Sequence, residues 1–437
     1  MNATPPRARI AWLSQRSKPS PSFQAAFSAA EYDLKRPPRR HSTGQSDLAL
    51  IDVRRSEAPS SEARELLTLS GLEGGLAGVV ILASRSVSED ERRQLVSIGD
   101  VCLDPIGPRA VTIRVRDRLR AAAIAEESAD RLKSALACEL PIEAPVLPTR
   151  QKKPRVLFAG APGPLALKAI GAMDEKADKI AVFNAAQALR AGESVGFDAA
   201  VFVPTVREDL LLALARSLRR HRKFSGTPMF ALAEDLDVAA AFGLIGIETI
   251  QLGHVDQAFA DKLSKVAERA RFLKGLRVFL AKTTKEACKD TDAATAYYAT
   301  HSLRQAERAK RTGRPFCLVG ISLDGQLGQQ SEAETKAAAA LIAKICRSED
   351  LTLTISNGIL VVMAASTTHR DAMKIAARAA GVLAGRIGEP NHRAAPPPTG
   401  FLKTVAAVEW EDGDTPQSLL ARLLSQLKND TKRSQLA

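Results

Sequence analysis

RSEDLTLTISNGILVVM, residues 347–363, is two apolar runs held apart by Ser356-Asn357-Gly358. Asn-Gly between two β-prone runs is the strongest short hairpin signal, because both central residues of the favoured turn need positive φ. The stretch therefore predicts an antiparallel pair, LTLTI and ILVVMAA. Its surroundings fit an α+β unit over 290–437. On the N-terminal side lie the helical pattern DAATAYYATHSLRQAERAKRTG, the strand CLVGISLD (317–324) and the helix EAETKAAAALIAKIC. On the C-terminal side come the helix THRDAMKIAARAAGVLAGRI, the Pro-rich AAPPPTG, the strand LKTVAAVEW and the helix TPQSLLARLLSQL.

Upstream the pattern changes. ARIAWL (8–13), DLALIDV (47–53), AGVVILAS (77–84) and DVCLDP (100–105) are short apolar runs between helix-like stretches. Strand–helix alternation of this kind predicts a parallel sheet covered on both faces. After ELPIEAPVLPTRQKK (139–153), whose three prolines read as a linker, the pattern repeats. RVLFAG (155–160), KIAVF (179–183), DAAVFVP (198–204), MFALAE (229–234) and GIETIQL (246–252) are its strands, and a long helical stretch runs from Asp256 to about Ala287. The expected organisation is a first unit over 1–138, a linker over 139–153, a second copy over 154–262, a connecting helix over 263–289 and the α+β unit over 290–437.

Composition narrows the function. In 437 residues there are 62 Lys and Arg against 49 Asp and Glu, a net charge of +13. The excess is spread along the chain, its densest clusters being KRPPRR (35–40) and RRHRK (219–223), and no DNA-reading module accompanies it. Aromatic residues make up 4%, leaving little for base stacking, so nucleic acid is not the expected partner. The five Cys are far apart without a CxxC pair, and the six His have no metal-ligand spacing. No catalytic residue, metal or catalytic cofactor is expected. The N-terminal MNATPPRARIAW lacks the apolar core of a signal peptide, and no apolar run approaches membrane-spanning length; the expectation is a cytoplasmic protein.

Two doubly wound units followed by this third unit resemble the receiver–receiver–GGDEF architecture of PleD-type response regulators. The best local matches lie in the third unit. GRPFCLVGISLD (313–324) resembles the family's GRPLSLLLIDLD strand, DTDAATAYYAT (290–300) its DxLTGLYNR entry, and DGDTPQSLLARLLSQL (412–427) its closing helix. RSEDLTLTISNGILVVM resembles, without a gap, the segment that carries the GGDEF signature and the RxxD motif before it. The fold implied is α/β: two receiver-like, flavodoxin-like domains and an α+β GGDEF-like domain of the nucleotidyl-cyclase type.

The activity of that family needs carboxylates to hold Mg²⁺ against a triphosphate and glycines that let backbone approach the nucleotide. The signature here falls on Ser356, Asn357, Gly358, Ile359 and Leu360, with both carboxylate positions lost. The first metal Asp of the strand falls on Ser322, although Asp324 remains. The stretch carrying the guanine-binding Asn is shortened to QLGQQSE, and the entry Asn falls on Ala299. A degenerate, inactive diguanylate cyclase domain is expected.

The RxxD motif survives as Arg347-Ser348-Glu349-Asp350. In the family it binds cyclic di-GMP; guanidinium offers a fork to the guanine O6/N7 edge or a phosphate, and carboxylate accepts from guanine N–H groups. The resemblance adds Arg378, in AARAA, and places Arg308 near a further family arginine. In the first receiver-like unit the phospho-acceptor position falls on Asp52. The metal-binding acidic pair is replaced by Ser14-Gln15, the Thr by Ala83 and the Lys by Asp104, so Asp52 reads as vestigial. In the second unit these positions are Val203, Ala233 and about Gly253, which leaves no acceptor.

The pattern is similar to PopA-type cell-cycle adaptors. The resemblance implies a cytoplasmic protein, at the cell pole, that binds cyclic di-GMP, recruits protein partners through its receiver-like domains and forms homodimers. Two other readings stay open at this point: a PleD-like cyclase with an aberrant site, and an interaction scaffold without ligand.

Overall fold

A computed structural model describes residues 8–35, 46–70, 78–104, 106–145, 153–204, 208–221, 224, 226–233, 235–289, 291–323, 332–356, 358–385 and 404–436. The chain divides into two compact units. One comprises Arg9–Ala122 and Val146–Gly275, the other Met1–Ala8, Ala123–Pro145 and Leu276–Ala437. The division falls inside two long helices.

In the first unit the chain runs β1 (Ala8–Leu13), α1 (Pro21–Ala29), β2 (Tyr32–Lys35), β3 (Leu48–Asp52), α2 (Pro59–Ser70), β4 (Val79–Ala83), α3 (Glu89–Ile98), β5 (Asp100–Leu103) and α4 (Pro108–Ala137). The five strands form one sheet in the order β2-β1-β3-β4-β5, with β1, β3, β4 and β5 paired in parallel. Both LALID and VVILA are buried almost throughout, as expected of strands covered on two faces. Each fully buried Ile or Leu there stabilises the fold by roughly 1.5–3 kcal/mol. The helix starts are written locally: the Ser20 hydroxyl accepts from Phe23 N at α1, and Ser88 accepts from Glu91 N at α3. Strand β2 was not expected. YDLK is half-exposed and lies on the sheet edge, so it lacks the apolar signature of the other four strands.

The second sheet repeats the design. β6 (Arg155–Gly160), α5 (Pro164–Gly171), β7 (Asp178–Val182), α6 (Ala185–Ser194), β8 (Ala199–Val203), α7 (Glu208–Arg220), β9 (Met229–Leu232), α8 (Leu236–Leu244), β10 (Glu248–Ile250) and α9 (Gln257–Ala287) follow in turn. The order β7-β6-β8-β9-β10, all parallel, is the same as in the first sheet and is the doubly wound order of flavodoxin-like folds. Successive residues of β6 feed opposite cores: Val156 and Phe158 pack with Phe259 and Leu263, whereas Leu157 and Ala159 pack with Leu211 and Phe242. Both expected doubly wound domains are therefore present, and they share one compact unit.

The other unit carries α10 (Thr291–Thr312), β11 (Phe316–Ser322), α11 (Glu332–Ile345), β12 (Leu351–Ser356), β13 (Ile359–Ala365), α12 (His369–Gly385), β14 (Thr404–Glu409) and α13 (Pro416–Leu436). Its sheet, β12-β13-β11-β14, is antiparallel. The hairpin expected from Asn-Gly closes β12 onto β13 with Ser356 opposite Ile359, and Gly358 takes φ +77°. Gly320 in β11 serves packing: a Cβ there would stand 2.8–3.0 Å from Leu423 and Leu427 of α13. The α+β domain is thus as expected. Asp324, Asn357, most of QLGQQSE, the Pro-rich AAPPPTG and part of the linker lie outside the described residues.

Candidate functional site

The Arg347–Asp350 tetrapeptide forms the turn between α11 and β12. The turn is self-bonded: Arg347 N donates to Asp350 Oδ2 at 2.9 Å, and Asp350 N donates to Arg347 O at 3.1 Å. The two candidate side chains part company there. Arg347 is exposed, whereas Asp350 is 6% exposed and its Oδ1 is buried with no hydrogen-bond partner. Burial pushes the Asp350 carboxyl up to about 7; Glu349 and Glu127 act in the same direction, and Arg347 opposes them.

Arg378, on α12, is exposed. At the start of the turn, burial pushes the Cys346 thiol up to about 12; Asp350 adds to the rise, and Arg378 and Arg347 counter it.

Arg308 is not free to join them. It is 6% exposed and ion-paired with Glu127 Oε2 at 2.9 Å and Asp130 Oδ2 at 3.2 Å. This corrects its expected place among ligand contacts: its charge is already neutralised by two carboxylates on α4. The group it belongs to gave no motif signal. Glu127 accepts from Arg131 Nε at 2.7 Å, from Gln305 Nε2 at 2.8 Å and from Arg308, and lies 3.0 Å from His301 Nε2. Burial works against its charge, yet His301, Arg131 and Arg308 together hold this carboxyl far below the usual range. Arg131, with no exposed surface, also donates to Leu280 O, to Thr284 Oγ1 and, at 3.2 Å, to Glu349 O inside the RxxD turn. The turn is therefore fastened from behind by α4 and α9. The i, i+4 spacing of Glu127 with Arg131 and of His301 with Gln305 is visible in the sequence, but only packing reveals that the two pairs meet.

The residues at the expected signature positions do come together. Ser322, buried at the end of β11, pairs in register with Ile359, and Leu323 N donates to Gly358 O at 2.8 Å. Gly358 N donates to Thr335 Oγ1 at 3.1 Å, and Leu360 is sunk in the core. The Ile359 side chain is buried where the signature has a carboxylate. Among the described residues no group of three or more His, Cys, Asp or Glu is placed to hold a metal ion.

The Asp52 site in the first receiver-like domain is occupied by protein. Arg54 Nε and Nη2 donate to its two oxygens at 2.8 and 2.9 Å, Ser17 Oγ donates at 2.9 Å and Arg54 N at 3.2 Å. Burial acts against the charge, but the Arg54 fork and Ser17 bring the carboxyl below its usual range. Arg54 also lies 3.5 Å from Asp104, the residue standing where the family has Lys. The cation beside Asp52 thus comes from its own turn and not from the end of strand five. In the second domain, Val203 and Ala233 are buried apolar residues at the corresponding strand ends.

No known protein-family pattern matches the chain, and no curated protein matches it. Among solved structures it is similar to a probable two-component system response regulator/GGDEF domain protein, at 17% identity over 56% of this chain and 91% of that one, with a TM-score of 0.20. It is also similar to the E. coli RcsC C-terminus containing a linker region and phosphoreceiver domain, at 9% identity over 64% and 94%, with a TM-score of 0.19. A third likeness is to uroporphyrinogen III synthase from Thermus thermophilus, at 18% identity over 63% and 98%, with a TM-score of 0.13. TM-scores this low carry no argument about function, and the fold assignment rests on strand order and pairing. No helix among the described residues is long and apolar enough to cross a membrane.

Proposed function

We propose that the chain is a catalytically inactive GGDEF-type receptor for cyclic di-GMP. In this reading it recruits protein partners through its receiver-like domains, in bacterial signalling or cell-cycle control at the cytoplasmic pole. The observation that supports it is an exposed Arg347 on the same turn as an Asp350 carboxylate oxygen without a partner, with Arg378 exposed on α12. Two guanidinium groups suit the phosphates and guanine edges of a dinucleotide, and an unpartnered carboxylate oxygen suits guanine N1–H and N2–H. The oxygen without a partner, Oδ1, is buried, so in this reading a guanine reaches it as the turn opens. Inactivity is supported by the buried Ile359 and by Ser322 at two positions where the chemistry needs carboxylates.

Calorimetry with cyclic di-GMP tests the receptor. The unmodified chain is expected to bind, and Arg347→Ala to lose binding at least about tenfold, as expected for loss of a charged hydrogen-bonding partner. Absence of binding, or equal binding by Arg347→Ala, overturns the reading. Incubation with GTP and Mg²⁺ is expected to give no cyclic di-GMP; measurable product restores the cyclase reading.

A further inference from the structure

A cavity of about 470 Å³ lies inside the receiver-like unit. Its walls come from the edge strands β5 and β10, from the end of β9 and from α3, α4, α8 and α9. That is the size of a small-molecule site. Val96, Leu103, Ile106, Ile113, Ile247 and Phe259 give it an apolar body.

Its charge is unbalanced. Glu248, the buried acid of the wall, is shared by two cations: Arg114 at 2.5 Å and Lys262. Both cations lean on the Phe230 ring, 5.6 and 5.9 Å from its centroid. The nearby Cys102 thiol is pushed up to about 12 by burial, so it supplies no negative charge. The other charges of the lining are balanced. Arg92 is held by Asp256 and Asp104 by Arg54, while Arg109 and Asp235 are exposed at the rim. The neighbouring Asp100 repeats the imbalance, with Arg118 at 2.6 Å and Arg269 at 3.0 Å on one carboxylate. Buried positive charge in excess of its counter-ions is costly, and an anion brought into the site relieves that cost.

We propose that this cavity binds a small organic anion with an apolar body and a single anionic head, the head at Arg114 and Lys262 and the body against Val96, Ile113 and Phe259. The proposal is independent of the cyclic di-GMP reading, because it uses none of Arg347, Asp350 or Arg378.

Decanoate is the probe, titrated calorimetrically into the full chain below its micellar concentration. Decanol and decyltrimethylammonium serve as the neutral and cationic controls. Saturable one-to-one binding of decanoate is expected, at least about tenfold tighter than either control. Gly243→Phe, which adds a ring where a Cβ meets no atom within 4 Å, is expected to fill the cavity and weaken decanoate at least about tenfold. Lys262→Met keeps the apolar stem and removes one cation; it is expected to abolish the preference for the anion. No saturable binding, equal binding of the three probes, or full decanoate binding by Gly243→Phe overturns the proposal. If Lys262→Met fails to fold, Gly243→Phe and the probe series decide it alone.

Discussion

Asp52 and Asp350 are both buried carboxylates at turns, 6% exposed each, and their surroundings are opposite. Asp52 receives a two-pronged guanidinium, a hydroxyl and a backbone N–H, and its carboxyl sits below the ordinary range in spite of burial. Asp350 receives one backbone N–H, faces Glu349 and Glu127, and rises to about 7. The first is a closed site, its charge consumed inside the protein. The second is an open one, a polar atom kept at a cost. A guanidinium two residues away thus satisfies one buried carboxylate, and the other is left with an oxygen that no group of the described residues meets.

The contrast can be tested from its strongest case downward. Glu127 is the extreme of the Asp52 type, so Arg131→Met, which strips its closest cation, is expected to cost about 3–5 kcal/mol in urea unfolding. A loss under about 1 kcal/mol would show that the buried group tolerates an unpaired charge and would break the comparison. Arg54→Met strips the fork from Asp52 at a half-exposed site and is expected to cost about 1–3 kcal/mol. Asp350→Asn should go the other way, stabilising by about 1–2 kcal/mol at pH 8 because Asn keeps an acceptor for Arg347 N without the charge.

The pH windows sharpen the same contrast. Asp350 binds a proton more tightly folded than unfolded, so its drag on stability sets in as pH rises from about 4 to about 7 and is constant above. Asp52 holds its proton more weakly folded, so its contribution is present above its ordinary range and is lost as pH falls below about 4. In unfolding titrations across pH 3–8, Asp52→Asn is expected to fall below the unmodified chain from about pH 4 upward and Asp350→Asn to rise above it as pH passes from about 4 to about 7, both converging with it toward low pH. Shifts in the same direction would erase the distinction.

Much of the fold was written in the sequence. Continuous apolar strands such as VVILA and AAVFV, and the Asn-Gly between LTLTI and ILVVMAA, need no tertiary context to be read. β2 escaped because Tyr32–Lys35 is held by its place on the sheet edge and carries Asp33 and Lys35. At the candidate site, the motif singled out Arg347, Asp350 and Arg378 but gave no sign of their burial or exposure. The turn that carries Asp350 is held from α4, where Arg131 reaches Glu349 O across 218 residues of chain. Arg308 was misplaced for the same reason, since its partners Glu127 and Asp130 belong to a distant helix. Arg54 was legible in DVRR, two residues past Asp52, but a search for a lysine after strand five looks elsewhere. Part of the +13 charge also finds a location, in the four cations on Glu248 and Asp100.

The identical strand order of the two parallel sheets bears on how the chain acquires its structure during synthesis. Parallel pairing waits on distant segments and is slow to form, so the first copy is still consolidating as its successor emerges from the ribosome. Tandem copies in that position risk exchanging strands. The central strands LALID and AAVFV share a pattern but differ in side-chain volume, so a swapped strand would overfill one core and leave voids in the other. Divergence between the duplicates then acts as a safeguard of fidelity, and a chain with LALID grafted into both sheets is the one expected to misassemble.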